Sequence, residues 1–196
     1  MKKYSQQKNS SNYEHFLTVA EIASALWVHI IAFETTLRNF IHNSLSNTYG
    51  SSKWWLKENL LTTKDIKDIL RVQKRFENKR KVPSDFLIIS NLGLSFWVEL
   101  LSKRYHQKIW NKLLKYFPRD PGRREEFHQK AREIRALRNS IAHHGPIMRR
   151  NLLRDFENLN ELTATLDPKL ADEVQKRSRV LDLLLNARLV GSGGGI

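Results

Sequence analysis

The chain has 196 residues, with 34 Lys+Arg against 20 Asp+Glu, a net charge of +14 and no cysteine. Disulfides and thiolate zinc sites are therefore excluded, and the basic balance points to a polyanionic partner, nucleic acid before a membrane surface. The length suits one domain with its own core.

Residues 1–12 are polar and are expected to form a flexible N-terminus; two lysines without an apolar run behind them are not a secretory signal. From Tyr13, Ile22, Leu26, His29/Ile30, Phe33, Leu37 and Phe40/Ile41 recur at steps of three and four, which predicts a long core helix ending at Tyr49-Gly50. The most apolar run, Ile22 to Phe33, is too short to span a bilayer, so a cytoplasmic protein with no membrane partner is expected. Glu34 and Arg38 stand four apart in the order that favours an ion pair. That pair is either a surface bridge of about 0.3–0.5 kcal/mol or an acid orienting a catalytic arginine. Trp54-Trp55 reads as a packing anchor rather than a base-stacking platform. Thr62 and Asp65 have the spacing of a capping box ahead of Ile66, Ile69/Leu70 and Phe76. The densest charge run follows: Arg71, Lys74, Arg75, Lys79, Arg80 and Lys81, with Glu77 as its one acid. It is a candidate RNA-binding face with Phe76 placed to stack on a base, or an ordinary solvated helix surface, and spacing alone does not separate the two.

Pro83-Ser84-Asp85 predicts a helix start, with an apolar helix over Phe86–Leu101. Tyr105, Ile109, Leu113 and Tyr116/Phe117 predict another, ended by Pro118. From Arg123 a basic helix turns Phe127, Ile134, Leu137 and Ile141 inward. Leu152, Phe156 and Leu159/Leu162 mark a further helix, and Asp167-Pro168 opens the last, with Val174, Leu181, Leu184/Leu185 and Leu189. A single domain over 13–190 is expected, then a flexible Gly/Ser tail over 191–196. Strand alternation, a Rossmann glycine fingerprint and a P-loop are all missing, so the expected fold is an all-α bundle of about six or seven helices.

The stretch Arg138-Asn139-Ser140-Ile141-Ala142-His143-His144-Gly145-Pro146 carries the chemistry. Arginine offers a planar, permanently charged fork for phosphate. Histidine moves protons near neutral pH, with an unperturbed pKa of roughly 6.5. Arg123 and His128 have the same separation, so spacing does not single out the second pair. Its setting does: Asn139 lies beside the arginine, Ala142 leaves room, and Gly145-Pro146 should end the helix. Residues five apart on a helix diverge by about 140°. Either the last turn distorts, or the pair is completed by a second copy, which predicts a homodimer with a shared cleft. A plainer account is that His143 and His144 place cationic side chains at a helix C-terminus.

Leu137 to His144 resembles the signature of the Abi-like (abortive infection, AbiD/AbiF type) proteins of the HEPN superfamily. Glu34-Thr35-Thr36-Leu37-Arg38-Asn39 resembles that family's first-helix segment, Gly50 the glycine closing it, and Ser84-Asp85 through Asn91-Leu92-Gly93-Leu94-Ser95-Phe96-Trp97 its middle segment. The likeness covers roughly residues 15–165 and leaves the remainder without a counterpart. It implies a HEPN-like bundle that cleaves or binds RNA in phage defence or a toxin-antitoxin system, without metal or cofactor. Carried over, Arg138 and His143 are the catalytic pair and Asn139 a supporting polar residue. His144, Glu34 and Arg38 also belong to the supporting set, Glu34 as the acid that positions the arginine. Two alternatives stay open: a non-catalytic RNA-binding module held by a cognate antitoxin protein or non-coding RNA, and a helical scaffold whose charge is incidental.

Overall fold

The structure, a computed structural model, describes residues 2–78 and 82–192, with side chains for 12–78 and 82–187. These residues are 79% helix in nine α-helices, without a strand among them. The chain is organised around α1, Lys2–Tyr49, about 72 Å long at 1.5 Å per residue. One face of it is completely buried: Ile22, Leu26, Ile30, Phe33, Leu37, Ile41 and Leu45. Each such side chain contributes about 1.5–3 kcal/mol on leaving water. Gly50 ends the helix in the left-handed region at φ 66°, which lets the Ser51 amide reach back to the Ser46 carbonyl at 3.1 Å. The helix begins at Lys2 rather than Tyr13, because nothing in 2–12 is a Pro or Gly that would break it. It also contains an 18-residue window of mean hydropathy 1.8, long and apolar enough to cross a membrane by that measure. The apolar stretch is thus longer than the Ile22–Phe33 run suggests, and its core-facing side is the column just described.

The other helices wrap this column. α2 (Thr63–Glu77) opens with the predicted capping box, Thr62 and Asp65 bonding each other's backbone amides. Trp54 and Trp55 are buried, as packing anchors; the Trp54 indole donates to His42 Nδ1 at 3.2 Å. The predicted Phe86–Leu101 helix is two, α3 (Asp85–Ser90) and α4 (Leu94–Glu99). Between them Gly93 is extended and the Trp97 indole donates to the Leu92 carbonyl at 3.2 Å, holding the break. The Tyr105–Phe117 helix is also not continuous: a 3-10 turn (Lys103–Tyr105), a π turn (His106–Trp110), α5 (Asn111–Leu113) and a second 3-10 turn (Leu114–Tyr116) replace it. Trp110 and Phe117 of this segment cluster with Phe127, the three ring centroids lying within 5.7 Å of one another.

α6 (Arg124–Ala142) and α7 (Leu152–Leu166) pack side by side against α1. The last predicted helix is also two, α8 (Pro168–Lys176) and α9 (Val180–Ser192). The turn between them is fastened to α1 by His29, whose Nε2 lies 2.9 Å from Ser178 Oγ. Burial pushes the His29 pKa below its ordinary value.

Candidate functional site

Arg138 and Glu34 meet where α6 crosses α1. The Arg138 Nε is 3.7 Å from Glu34 Oε2, with side chains 32% and 25% exposed. That is an ion pair but too long for a hydrogen bond, and Nε, sealed from solvent, has no hydrogen-bond partner. The guanidinium carbon sits 5.8 Å from the centre of the Trp27 ring, within cation–π range. Its two terminal nitrogens make no hydrogen bond to the described residues and are not sealed from solvent. The arginine is therefore held along one edge and over one face while its fork stays uncommitted. Glu34 does not pair with Arg38, as the four-residue spacing predicts; Arg38 Nε instead donates to Asn39 Oδ1 at 3.2 Å. The cross-helix cation takes the carboxylate because Arg138 comes to the flank of α1 where Glu34 points.

Beyond Arg138 the helix stays regular to Ala142 and then closes in a Schellman turn. His143 is the cap residue (φ −108°, ψ 16°), His144 is left-handed at φ 54°, and Gly145 donates to the Ser140 carbonyl at 2.7 Å. His144 donates to the Ile141 carbonyl at 3.1 Å, completing the pair of bonds that define the motif. A Cβ on Gly145 would lie 3.3 Å from the Ser140 oxygen, so this glycine allows close approach. Both histidines, Asn139 and Ala142 are exposed. Because the last turn does not distort before His143, the divergence of about 140° stands. Arg138 leaves toward α1 and His143 toward solvent, on the ridge that also carries His128, Arg132, Arg135 and Asn139. Arg132 and Arg135 have no acidic partner within ion-pair distance among the described residues, and their charges, after burial, help to depress the His128 pKa. The turn is pinned from behind by Arg150, which forms two 2.8 Å bonds to buried Asp155 and a 3.3 Å contact with Glu133 on α6.

The described part of the predicted charge run belongs to α2, apart from this place. Arg71 pairs with Asp68 at 2.8 Å, Lys74 and Arg75 are exposed in the last turn of α2, and the main helical neighbour of α2 is α3. Lys79, Arg80 and Lys81 lie outside the described residues. Phe76 packs against the core and is not a free stacking platform. Sequence reasoning missed Trp27, Arg132, Arg135 and Arg150. Trp27 had a signal, seven residues before Glu34 and so on the same flank of α1; Arg132 and Arg135 fall on the ridge of Asn139 and His143 at steps of three and four.

Grooves open elsewhere on the described surface. One of about 490 Å³ runs between α7 and α9, lined by Met148, Leu152, Leu153, Leu181 and Leu185. A second, of about 400 Å³, is lined by asparagines of α1. No family model matches the chain, and no curated protein or solved structure is significantly similar to it.

Proposed function

We propose that the protein is a metal-independent endoribonuclease of the HEPN type, a HEPN-like bundle serving as a phage-defence (abortive infection) or toxin-antitoxin effector in the cytoplasm. The observation that carries this reading is the Glu34–Arg138 pair. It joins the two segments that resemble the family and leaves the guanidinium fork free beside a helix end presenting exposed His143. Arg138 would bind the scissile phosphate and stabilise the charge that builds on it in the transition state. The ribose 2′-oxygen attacks phosphorus and the bond to the 5′-oxygen breaks, leaving a 2′,3′-cyclic phosphate and a 5′-hydroxyl. His143 takes the 2′ proton as general base and returns it as general acid to the departing 5′-oxygen, a role worth about 10²–10⁴ in rate.

The 140° divergence favours a site completed by a second copy. At 100° per residue, Leu17, Ala20, Ser24, Val28 and Ile31 fall within about 40° of one line on α1. Leu17, Val28 and Ile31 are 57%, 56% and 51% exposed, and Trp27 and Glu34 border that line on the side where Arg138 docks. A two-fold contact along this seam brings two Arg138 forks close together.

The decisive test is His143→Ala. The variant should lose RNA cleavage and growth inhibition by at least about 10²-fold while keeping its helical content and RNA affinity, and wild-type cleavage should persist in EDTA with a cyclic-phosphate product. A folded His143→Ala protein that still cleaves, or a 5′-phosphate product, would sink the assignment. The unpaired ridge of Arg132 and Arg135 gives the RNA-binding alternative, with a bound antitoxin or non-coding RNA, its own support. If salt-sensitive RNA binding occurs without cleavage in any variant, that alternative replaces the enzyme.

A further inference from the structure

We infer that the asparagine-lined groove on α1 binds an unpaired base of the RNA; this rests on the ribonuclease reading. Asn39, Asn43 and Asn47 recur every four residues on one face of α1, and the groove they line holds about 400 Å³, within the range of small-ligand pockets, about 300–1,000 Å³. Asparagine is a weak helix former because its side chain competes for backbone hydrogen bonds. Three at one spacing inside the core helix are therefore not selected by helix stability. Asn43 and Asn47 are exposed, and their carboxamides have no hydrogen-bond partner among the described residues.

The charge of the lining decides what enters. It contains no lysine or arginine, and its one carboxylate, Asp167, already caps α8 by accepting from the Leu170 amide at 3.0 Å. A phosphate is disfavoured there; a neutral, planar group with donors and acceptors along its edge is favoured. A carboxamide presents a donor and an acceptor side by side, the pattern that pairs with adenine N6 and N7. Phe40 and Tyr116 line the same groove and supply aromatic surface of the kind on which unpaired bases stack. Arg38 borders the groove and supplies a cation beside it for the RNA backbone. It lies between Glu34 and Asn39 on α1, is bonded to Asn39, and has no acidic partner within ion-pair distance among the described residues.

The test is fluorescence anisotropy with the full-length His143→Ala protein and single-stranded hexanucleotides, oligouridine with one adenine, guanine or cytosine moved through each position. At one position adenine should bind about tenfold tighter than the other bases. Asn43→Leu with Asn47→Leu should abolish that preference while leaving the salt-sensitive binding of oligouridine unchanged; both positions are exposed, so the fold tolerates the change. A preference that survives the double substitution, or wild-type binding that is salt-sensitive but blind to base, overturns the groove and leaves the ribonuclease reading standing. Failure to bind any of the RNAs overturns both.

Discussion

Among the described residues two that are not glycine stand at positive φ, Asn59 and His144, and His144 is the one at the end of the motif helix. Two helices end in the same hydrogen-bonded turn, and in α1 the left-handed position is Gly50 at φ 66° while in α6 it is His144 at φ 54°. A side chain in that conformation costs about 1–2 kcal/mol, and such strain gathers at functional sites. The adjacent glycine does not relieve it, since Gly145 is occupied with close approach to Ser140. His144→Gly removes the steric cost and adds about 0.5–1 kcal/mol of backbone entropy cost. The net expectation is a gain of about 0.5–1 kcal/mol, read as a higher urea midpoint, with cleavage retained. If the variant is more stable yet inactive, the proton-transferring ring is His144 and not His143.

At the scale of elements, the turn after α6 keeps its geometry through Arg150, which ties it to α6 and α7 at once. Arg150→Ala strands the buried Asp155 carboxylate and should cost about 3 kcal/mol, measurable by urea denaturation. Arg150→Met with Asp155→Leu should cost much less, because neither charge is left alone; equal damage from both would mean that packing, not charge, makes the contact. This clamp shows where sequence reading stops. The spacing of Ile22, Leu26, Ile30 and Phe33 announces α1 because helical periodicity is local, and Thr62 with Asp65 announces the start of α2 for the same reason. The breaks at Gly93 and near Ser178 depend on the Trp97 and His29 contacts, which are tertiary. So does the partner of Glu34: Arg38 is its neighbour in sequence and Arg138 its neighbour in space. The Arg138–His143 stretch was legible, and so was its exposed helix end at Gly145-Pro146, because both are local; what spacing did not encode is the docking of Arg138 on Glu34 and Trp27.

For the whole molecule, pH and assembly both act through α1. Burial lowers the pKa of His29, and that of His42 and His128 also lies below the ordinary value, again chiefly through burial. Below an unfolded pKa of about 6.5 the unfolded chain binds protons that the folded one resists. Stability should therefore fall as the pH drops from about 6.5 toward the depressed folded values and level off beneath them. Urea midpoints at stepped pH test this, and a midpoint that does not fall on acidification would contradict it. Assembly turns on the opposite face of the same helix. Val28→Glu with Ile31→Glu places like charges across a two-fold contact while leaving the buried column from Ile22 to Leu45 untouched. The double variant should keep its helical content, run as a monomer in sedimentation, and lose most of its cleavage. Complementation supplies the second arm: Arg138→Ala and His143→Ala chains, each inactive alone, should recover measurable cleavage when purified as mixed dimers through separate tags. That recovery follows only if one chain lends the fork and the other the ring. Mixed dimers without activity would assign both residues to one chain. A Glu-substituted monomer that cleaves at the wild-type rate would leave the seam free for another occupant, such as a membrane surface, and remove the shared cleft.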